Sequence, residues 1–173
     1  HRSPMSGPWC TNPWALPSPC HLVRPHLPLA RTFLCEPVVL YRTEDGTAVA
    51  LEDRCCHRAL PLSMGQVVGD RLQCGYHGLE FDNSGACVKI PGQDKIPPGA
   101  VVKSYPLVER WKWLWIWMGD PALADESLIP NWWWFDHPEW ELVKGKYLKL
   151  DCNYELITDN LLDLSHLAYV HLN

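Results

Sequence analysis

The sequence predicts a mainly β protein of antiparallel strands, followed by the start of a second domain that contains helix. Residues 35–118 are short runs of β-branched and aromatic residues, separated by turns that contain Gly, Asp or Asn. From about residue 156 the apolar residues follow helical spacing, with Leu161, Leu162 and Leu167 available for one face. This change of period indicates two structural regions.

Three β-hairpins are predicted inside residues 35–118. Their turns lie at residues 44–46, 69–70 and 83–85, and each turn separates two apolar runs. Because such turns join neighbouring antiparallel strands, we expect small antiparallel sheets in this region.

The run WKWLWIWM, residues 111–118, predicts a strand buried on both faces. Alternation places its four tryptophans on one face and its other apolar residues on the opposite face: Trp111, Trp113, Trp115 and Trp117 against Leu114, Ile116 and Met118. Since both faces are apolar, core packing explains these tryptophans better than ligand binding does.

Residues 1–30 differ from the rest of the chain. They hold seven of the sixteen prolines and no acidic residue, without helical or strand periodicity. Proline removes backbone donors and at this density predicts an irregular segment. Asp120-Pro121 and the polar stretch after it predict a domain boundary. The expected organisation is therefore 1–30, 31–120 and 121–173.

Composition limits the classes of function. A net charge of −5 argues against nucleic acid or an anionic membrane as the main partner. No run approaches the roughly 18 consecutive apolar residues of a transmembrane helix. Eight cysteines in a chain with plentiful core residues are not typical of a small secreted disulfide framework. We therefore expect thiols, some of them metal-bound, in a reducing cytoplasm.

The strongest chemical signal is Cys55-x-His57 followed, after sixteen residues, by Cys74-x-x-His77. Two thiolates and two imidazoles suit either a structural zinc ion or a Rieske [2Fe–2S] cluster, in which two Cys hold one iron and two His the other. Zinc motifs usually pair like with like, whereas each short motif here supplies one Cys and one His. The spacing therefore favours the cluster.

Residues 159–171 contain a second candidate metal site. Asp163 and His166 share a helix face, but His171 would lie about 140° around an ideal helix from His166. The two histidines can hold one metal only if the helix ends or distorts between them. From these residues alone, a helix with an ordinary core histidine is the simpler interpretation.

Together, the motifs resemble those of the Rieske non-haem iron oxygenases. The pattern C-x-H-R from Cys55 and C-x-x-H-G-L-x-F from Cys74 is similar to the cluster motif of that family, and residues 160–171 match N-x-x-D-x-x-H-x₄-H. The segments CGYHGLEF, IPGQ, GDPALAD and HPEW resemble the vanillate O-demethylase branch. The resemblance covers about residues 31–172. Since residues 1–30 do not match, we expect a shifted reading frame or a mis-joined end there.

The resemblance implies a fold and a cofactor for the first domain. Residues 31–120 would form a Rieske domain in which Cys55, His57, Cys74 and His77 hold the [2Fe–2S] cluster. Residues 121–173 would begin an α+β helix-grip, or START-like, catalytic domain, cut short in this sequence.

The resemblance also implies a mononuclear Fe(II) site. His166 and His171 would be two legs of a 2-His-1-carboxylate triad, with Asn160 near the iron and the third carboxylate absent from this chain. Asp163 would link His166 to His77 of a neighbouring chain, which implies a homotrimer.

The implied function is that of the oxygenase component of a multicomponent monooxygenase. An NAD(P)H-dependent flavin/iron–sulfur reductase would supply electrons, and O₂ would be used to O-demethylate a methoxylated aromatic acid such as vanillate. A ring-hydroxylating dioxygenase or an aromatic methyl-monooxygenase would share these motifs. A Rieske ferredoxin, which only carries electrons, is the alternative of another class. With two of three triad ligands, this chain alone is expected to be an inactive fragment.

Overall fold

Antiparallel strands dominate the computed structural model, which describes residues 14–141, 143 and 148–171. The strands are β1 (Trp14–Pro19), β2 (Leu29–Phe33), β3 (Glu36–Arg42), β4 (Ala48–Glu52), β5 (Gln66–Val68), β6 (Arg71–Gln73), β7 (Glu80–Phe81), β8 (Cys87–Lys89), β9 (Ser104–Tyr105), β10 (Leu107–Arg110) and β11 (Trp113–Trp117). Two helices follow, α1 (Tyr154–Leu162) and α2 (Leu167–Val170). The predicted mainly β fold is confirmed.

The strands form three sheets. Their orders are β1-β11-β10, β2-β3-β4-β9 and β5-β6-β7-β8, and every named pair is antiparallel. The three predicted hairpins are present as β3–β4, β5–β6 and β7–β8. Short loops thus build the β5–β8 sheet from local pairs, as the turn residues predicted.

The tryptophan-rich strand β11 is buried on both faces, as predicted. Leu114, Ile116 and Met118 pack into one core cluster with residues of β3 and β4. Trp115 and Trp117 pack on the other face.

Trp111 departs from the prediction. It lies with Lys112 in the turn before β11, and both residues have left-handed backbones, with φ of 58° and 61°. A two-residue hairpin turn of the twist that suits paired strands requires positive φ at both positions. This turn therefore removes Trp111 from the strand face.

The expectation of an irregular segment over residues 1–30 is wrong for its second half. Residues 14–19 form β1, which pairs with β11 around an irregularity between Ala15 and Ser18. β1 is an edge strand, where prolines do not remove a required ladder hydrogen bond. Strand β2 then begins at Leu29. Residues 1–13 lie outside the described residues.

The chain divides into two compact units, residues 1–140 and 141–173. Within the first unit, Ile129 and Trp132 pack against Trp115, so the segment after residue 120 contacts the tryptophan face of β11. The domain boundary at residue 120 stays a prediction.

The helical region of the second unit is interrupted. Asn153 caps α1 by accepting a hydrogen bond from the Glu155 N–H at 3.0 Å. The helix ends at Leu162, and Asp163 caps a 3₁₀ turn that leads into α2. Leu161, Leu162 and Leu167, predicted for one apolar face, are therefore split between two helices, and all three are exposed.

Membrane-spanning helices are not found in the part of the chain that the structure describes. The longest helix there, α1, has nine residues, whereas a bilayer span needs about 20.

Gly65, which follows the first Cys–His motif, provides a test of its packing against the backbone at the start of the second motif. A methyl group there would lie 1.9 Å from the Gln73 carbonyl oxygen, a backbone atom that cannot rotate away. We predict that Gly65→Ala lowers the free energy of unfolding by about 1–3 kcal/mol, measured by urea denaturation. Gly99→Ala is the control, because a methyl group there meets no atom within 4 Å. Equal effects of the two substitutions would contradict this packing.

Candidate metal centres

The two loops that carry the Cys–His pairs, residues 55–60 and 74–79, share one backbone pattern. In each, the cysteine N–H donates to the carbonyl five residues on, at 2.9 and 2.8 Å. The residue four positions after each cysteine returns a hydrogen bond to the cysteine carbonyl, at 2.9 and 3.1 Å. That residue has a left-handed backbone in both loops, with φ of 57° at Ala59 and 73° at Gly78. The loops are therefore a structurally matched pair.

The matched loops bring the predicted ligands together in two pairs, one of thiols and one of imidazoles. Cys55 and Cys74 are 3% and 2% exposed, and the Cys74 thiol is close enough to raise the pKa of the Cys55 thiol. His57 and His77 are exposed, with ring centroids 4.5 Å apart. The sulfur atoms thus lie on the inner side of the site and the imidazoles on the outer side.

Burial disfavours the free thiolate on the sulfur side of the site. Burial raises the pKa of the Cys55 thiol to about 11, and the neighbouring Cys74 adds to the increase. A hydrogen bond from the His57 backbone acts in the opposite direction and lowers this pKa. A free thiolate is therefore costly at this position. Metal coordination offsets that cost because a metal binds the thiolate form.

The arrangement fits a two-iron cluster better than a single zinc ion. The two thiols form one pair and the two imidazoles form another. A structural zinc needs four such ligands around one centre, whereas a Rieske cluster takes two Cys on one iron and two His on the other. The separation of the Cys pair from the His pair meets the second requirement.

The surroundings of the loops include residues that the sequence did not single out. Tyr76 packs on His77 with ring centroids 3.9 Å apart. Asp53, just before the first loop, accepts hydrogen bonds from Ser63, just after it. Cys56 and the two histidines line a cavity of about 450 Å³. Only the position of Asp53 and Ser63 on either side of the first Cys–His motif could have signalled their contact.

The second unit brings the other candidate ligands to one cavity. Asn160, Asp163, His166 and His171 line a cavity of about 670 Å³, together with Asp159 and Val170. The rings of His166 and His171 have centroids 5.5 Å apart. Helix α2 ends at Val170, and His171 has φ −108° and ψ 62°, outside the helical region. The helix therefore ends between the two histidines, which is the condition that the sequence required.

Asp163 is held in place by one of its carboxylate oxygens. Oδ1 accepts hydrogen bonds from the Ser165 N–H at 3.0 Å and from the Ser165 hydroxyl at 2.5 Å. These bonds hold the pKa of the Asp163 carboxyl below its ordinary value. The predicted link from Asp163 to His77 of a neighbouring chain stays a prediction, as do the individual ligand roles.

Two sequence families match this chain. The Rieske [2Fe–2S] domain matches residues 17–106, and the vanillate O-demethylase oxygenase C-terminal domain matches residues 150–173. The first match begins within strand β1, earlier than the start near residue 31 that the motifs suggested.

Curated relatives match most of this chain and are longer than it. The toluene-4-sulfonate monooxygenase system iron–sulfur subunit of Comamonas testosteroni is 57% identical over 82% of this chain and 40% of its own. The dicamba O-demethylase oxygenase component of Stenotrophomonas maltophilia is 51% identical over 83% and 42%. A vanillate O-demethylase oxygenase subunit of a Pseudomonas species is 44% identical over 83% and 40%. The chain thus spans about two-fifths of the length of these relatives.

Solved structures show the same fold. Dicamba monooxygenase bound to dicamba superposes with a TM-score of 0.88 at 46% identity, over 94% of this chain and 48% of that one. Dicamba monooxygenase with non-haem iron and dicamba superposes with a TM-score of 0.84 at 45% identity, over 92% and 49%.

Proposed function

The chain belongs to the Rieske [2Fe–2S] family, and from this premise we propose that it forms part of the oxygenase component of a multicomponent Rieske monooxygenase. The observation that carries the proposal is the combination of two candidate centres in one chain. The matched Cys–His loops lie in the first unit, and the His166–His171 cavity lies in the second. An electron carrier needs only the first, so the second favours an oxygenase over a Rieske ferredoxin.

We assign Cys55 and Cys74 to one iron of the cluster and His57 and His77 to the other. Support comes from the burial of both thiols and the exposure of both imidazoles. In a bound cluster the buried cysteines would keep water from the sulfur ligands, and the exposed histidines would lie where an electron partner can approach. The cluster, when bound, supplies one-electron transfer.

We assign His166 and His171 to a mononuclear iron, with Asn160 beside it. Asp163 would act between the two centres. Its Oδ1 is occupied by Ser165, whereas its Oδ2 makes no hydrogen bond in the described part of the chain. That oxygen can accept a hydrogen bond from a donor on another chain. A histidine of a neighbouring cluster, His77 in a homotrimer, meets this requirement.

The proposed substrate is an aromatic acid that carries a methoxyl or a methyl group. Relatives named as dicamba and vanillate O-demethylases favour the methoxyl group, with O-demethylation that consumes O₂, two electrons and two protons and yields a phenol, formaldehyde and water. The relative at 57% identity, named for toluene-4-sulfonate, favours hydroxylation of an aryl methyl group as a second candidate. An NAD(P)H-dependent flavin/iron–sulfur reductase would supply the electrons, in the cytoplasm.

The substrate proposal predicts the products of the whole protein that carries this chain, assayed with its reductase, NADH and O₂. We expect vanillate to release about one formaldehyde per substrate consumed, because oxidation of the methoxyl carbon breaks the O–CH₃ bond. Toluene-4-sulfonate, by contrast, would give a hydroxymethyl product without formaldehyde. Formaldehyde assay and chromatography of the products distinguish the two. Ring dihydrodiols from either compound would contradict a monooxygenase.

The bridge proposal predicts a loss of turnover without a loss of the cluster. Asp163→Asn keeps a side chain that can cap the Ser165 N–H but removes the charge. We expect substrate-dependent NADH oxidation to fall about 10–100-fold, while the absorption spectrum of the cluster is unchanged.

The matched control for Asp163→Asn is Asp151→Asn, an exposed acidic residue of the same unit whose nearest cation, Lys149, is 3.8 Å away. It should leave turnover unchanged. Equal turnover in the two variants would overturn the role of Asp163.

A further inference from the structure

Asp53 and Ser63 lie on either side of the first Cys–His loop, residues 55–60, which we call the first cluster loop, and they are hydrogen-bonded to each other. Residues 74–79 are the second cluster loop. Asp53 is 8% exposed. Its Oδ1 accepts a hydrogen bond from the Ser63 N–H, and its Oδ2 accepts one from the Ser63 hydroxyl, both at 2.6 Å. We refer to this pair of bonds as the Asp53–Ser63 clasp. It joins the two ends of the segment that contains Cys55 and His57.

The clasp also connects the first cluster loop to the second. The Asp53 N–H donates to the Pro37 carbonyl at 3.0 Å, which fixes this residue to β3. Ser63 lies in the 3₁₀ turn Leu62–Met64, and the backbone of that turn touches the second loop. A methyl group at Gly75 would lie 2.8 Å from the Met64 carbonyl oxygen. Movement of Ser63 would therefore shift the contact that holds the second loop.

The carboxylate of Asp53 is buried without a cationic partner in the described ranges. Both of its oxygens make hydrogen bonds, and both partners are uncharged groups of one serine. Glu80, the other buried acid near the loops, instead pairs with Arg71 at 3.1 Å and Lys89 at 2.7 Å. The Arg54 side chain, next in the chain, is exposed to solvent, which screens its charge. Asp53 therefore has no ion-pair partner among the described residues, and its two hydrogen bonds to Ser63 are its side-chain contacts there.

The Asp53 carboxylate lies close to the proposed cluster. Asp53 is two residues from Cys55, so their Cα atoms are separated by no more than about 7 Å. Addition of one electron to the cluster adds one negative charge, which a nearby carboxylate opposes. In a medium of effective dielectric constant near 20, a unit charge about 10 Å away changes the equilibrium constant for reduction about tenfold.

We propose that Asp53 is a positioning residue for the cluster loops whose fixed negative charge also lowers the reduction potential of the [2Fe–2S] cluster, with Ser63 moderating that charge through its two donors. The inference rests on the proposed cluster ligands and is independent of the substrate. The reduction in question is the transfer of one electron from the reductase to the oxidised cluster.

The test is a redox titration of the cluster, by absorption, in the whole protein with dithionite and mediators. Asp53→Asn preserves the shape of the clasp and removes its charge. We expect the potential to rise, by an amount equal to about a tenfold change in the equilibrium constant for reduction. Ser63→Ala keeps the charge and removes one donor, so the potential should shift in the opposite direction.

Asp45→Asn is the matched control. Asp45 precedes β4 as Asp53 follows it, and it also accepts hydrogen bonds from neighbouring hydroxyl and amide donors. The length of β4 separates Asp45 from the two Cys–His loops. The reduction potential of the cluster in Asp45→Asn should therefore equal that of the parent protein.

The outcomes separate a charge effect from loosened packing. Equal potentials for Asp53→Asn and Asp45→Asn, or shifts of the same sign for Asp53→Asn and Ser63→Ala, overturn the inference. If Asp53→Asn fails to assemble the cluster, Ser63→Ala decides: a lowered potential supports the inference, and a raised or unchanged one rejects it. A parent protein without a Rieske spectrum would instead refute the proposed cluster itself.

Discussion

The region around the Cys–His motifs depends on two loops with the same backbone hydrogen-bond pattern. These loops bury the thiols of Cys55 and Cys74 and leave His57 and His77 exposed. Burial makes a free thiolate costly at Cys55. The Asp53–Ser63 clasp joins the two ends of the first loop, and the 3₁₀ turn that contains Ser63 lies against the start of the second loop.

Local sequence signals predicted the parts of the fold that local chemistry controls. The turns at 44–46, 69–70 and 83–85 joined neighbouring strands, because turn residues and apolar runs act over a few positions. The spacing of the Cys–His motifs likewise sufficed to predict that the two cysteines lie near each other and that the two histidines do so too. Strand β1 was missed because its prolines argue against a strand, and only its position at a sheet edge permits them.

Long-range contacts were beyond the reach of the sequence. The contact of Asp53 with Ser63 spans ten residues and joins two side chains that are common at turns and caps, so no pattern marks it. The sequence predicted no position for the end of helix α1 at Leu162; it indicated only that a helix must end or distort for the two histidines to hold one metal. In the structure this end follows from Asp163, whose side chain caps a new turn by accepting from Ser165 and so ends α1.

Two cysteines and two histidines of this chain are proposed to share one cluster. The most direct measurement is pulsed EPR on the reduced protein, grown with ¹⁵N-labelled histidine. The account predicts two histidine nitrogens coupled to the unpaired spin, and the loss of one coupling or of the whole signal in His57→Ala and His77→Ala. A signal without histidine nitrogen coupling, or zinc in place of iron by elemental analysis, would contradict it.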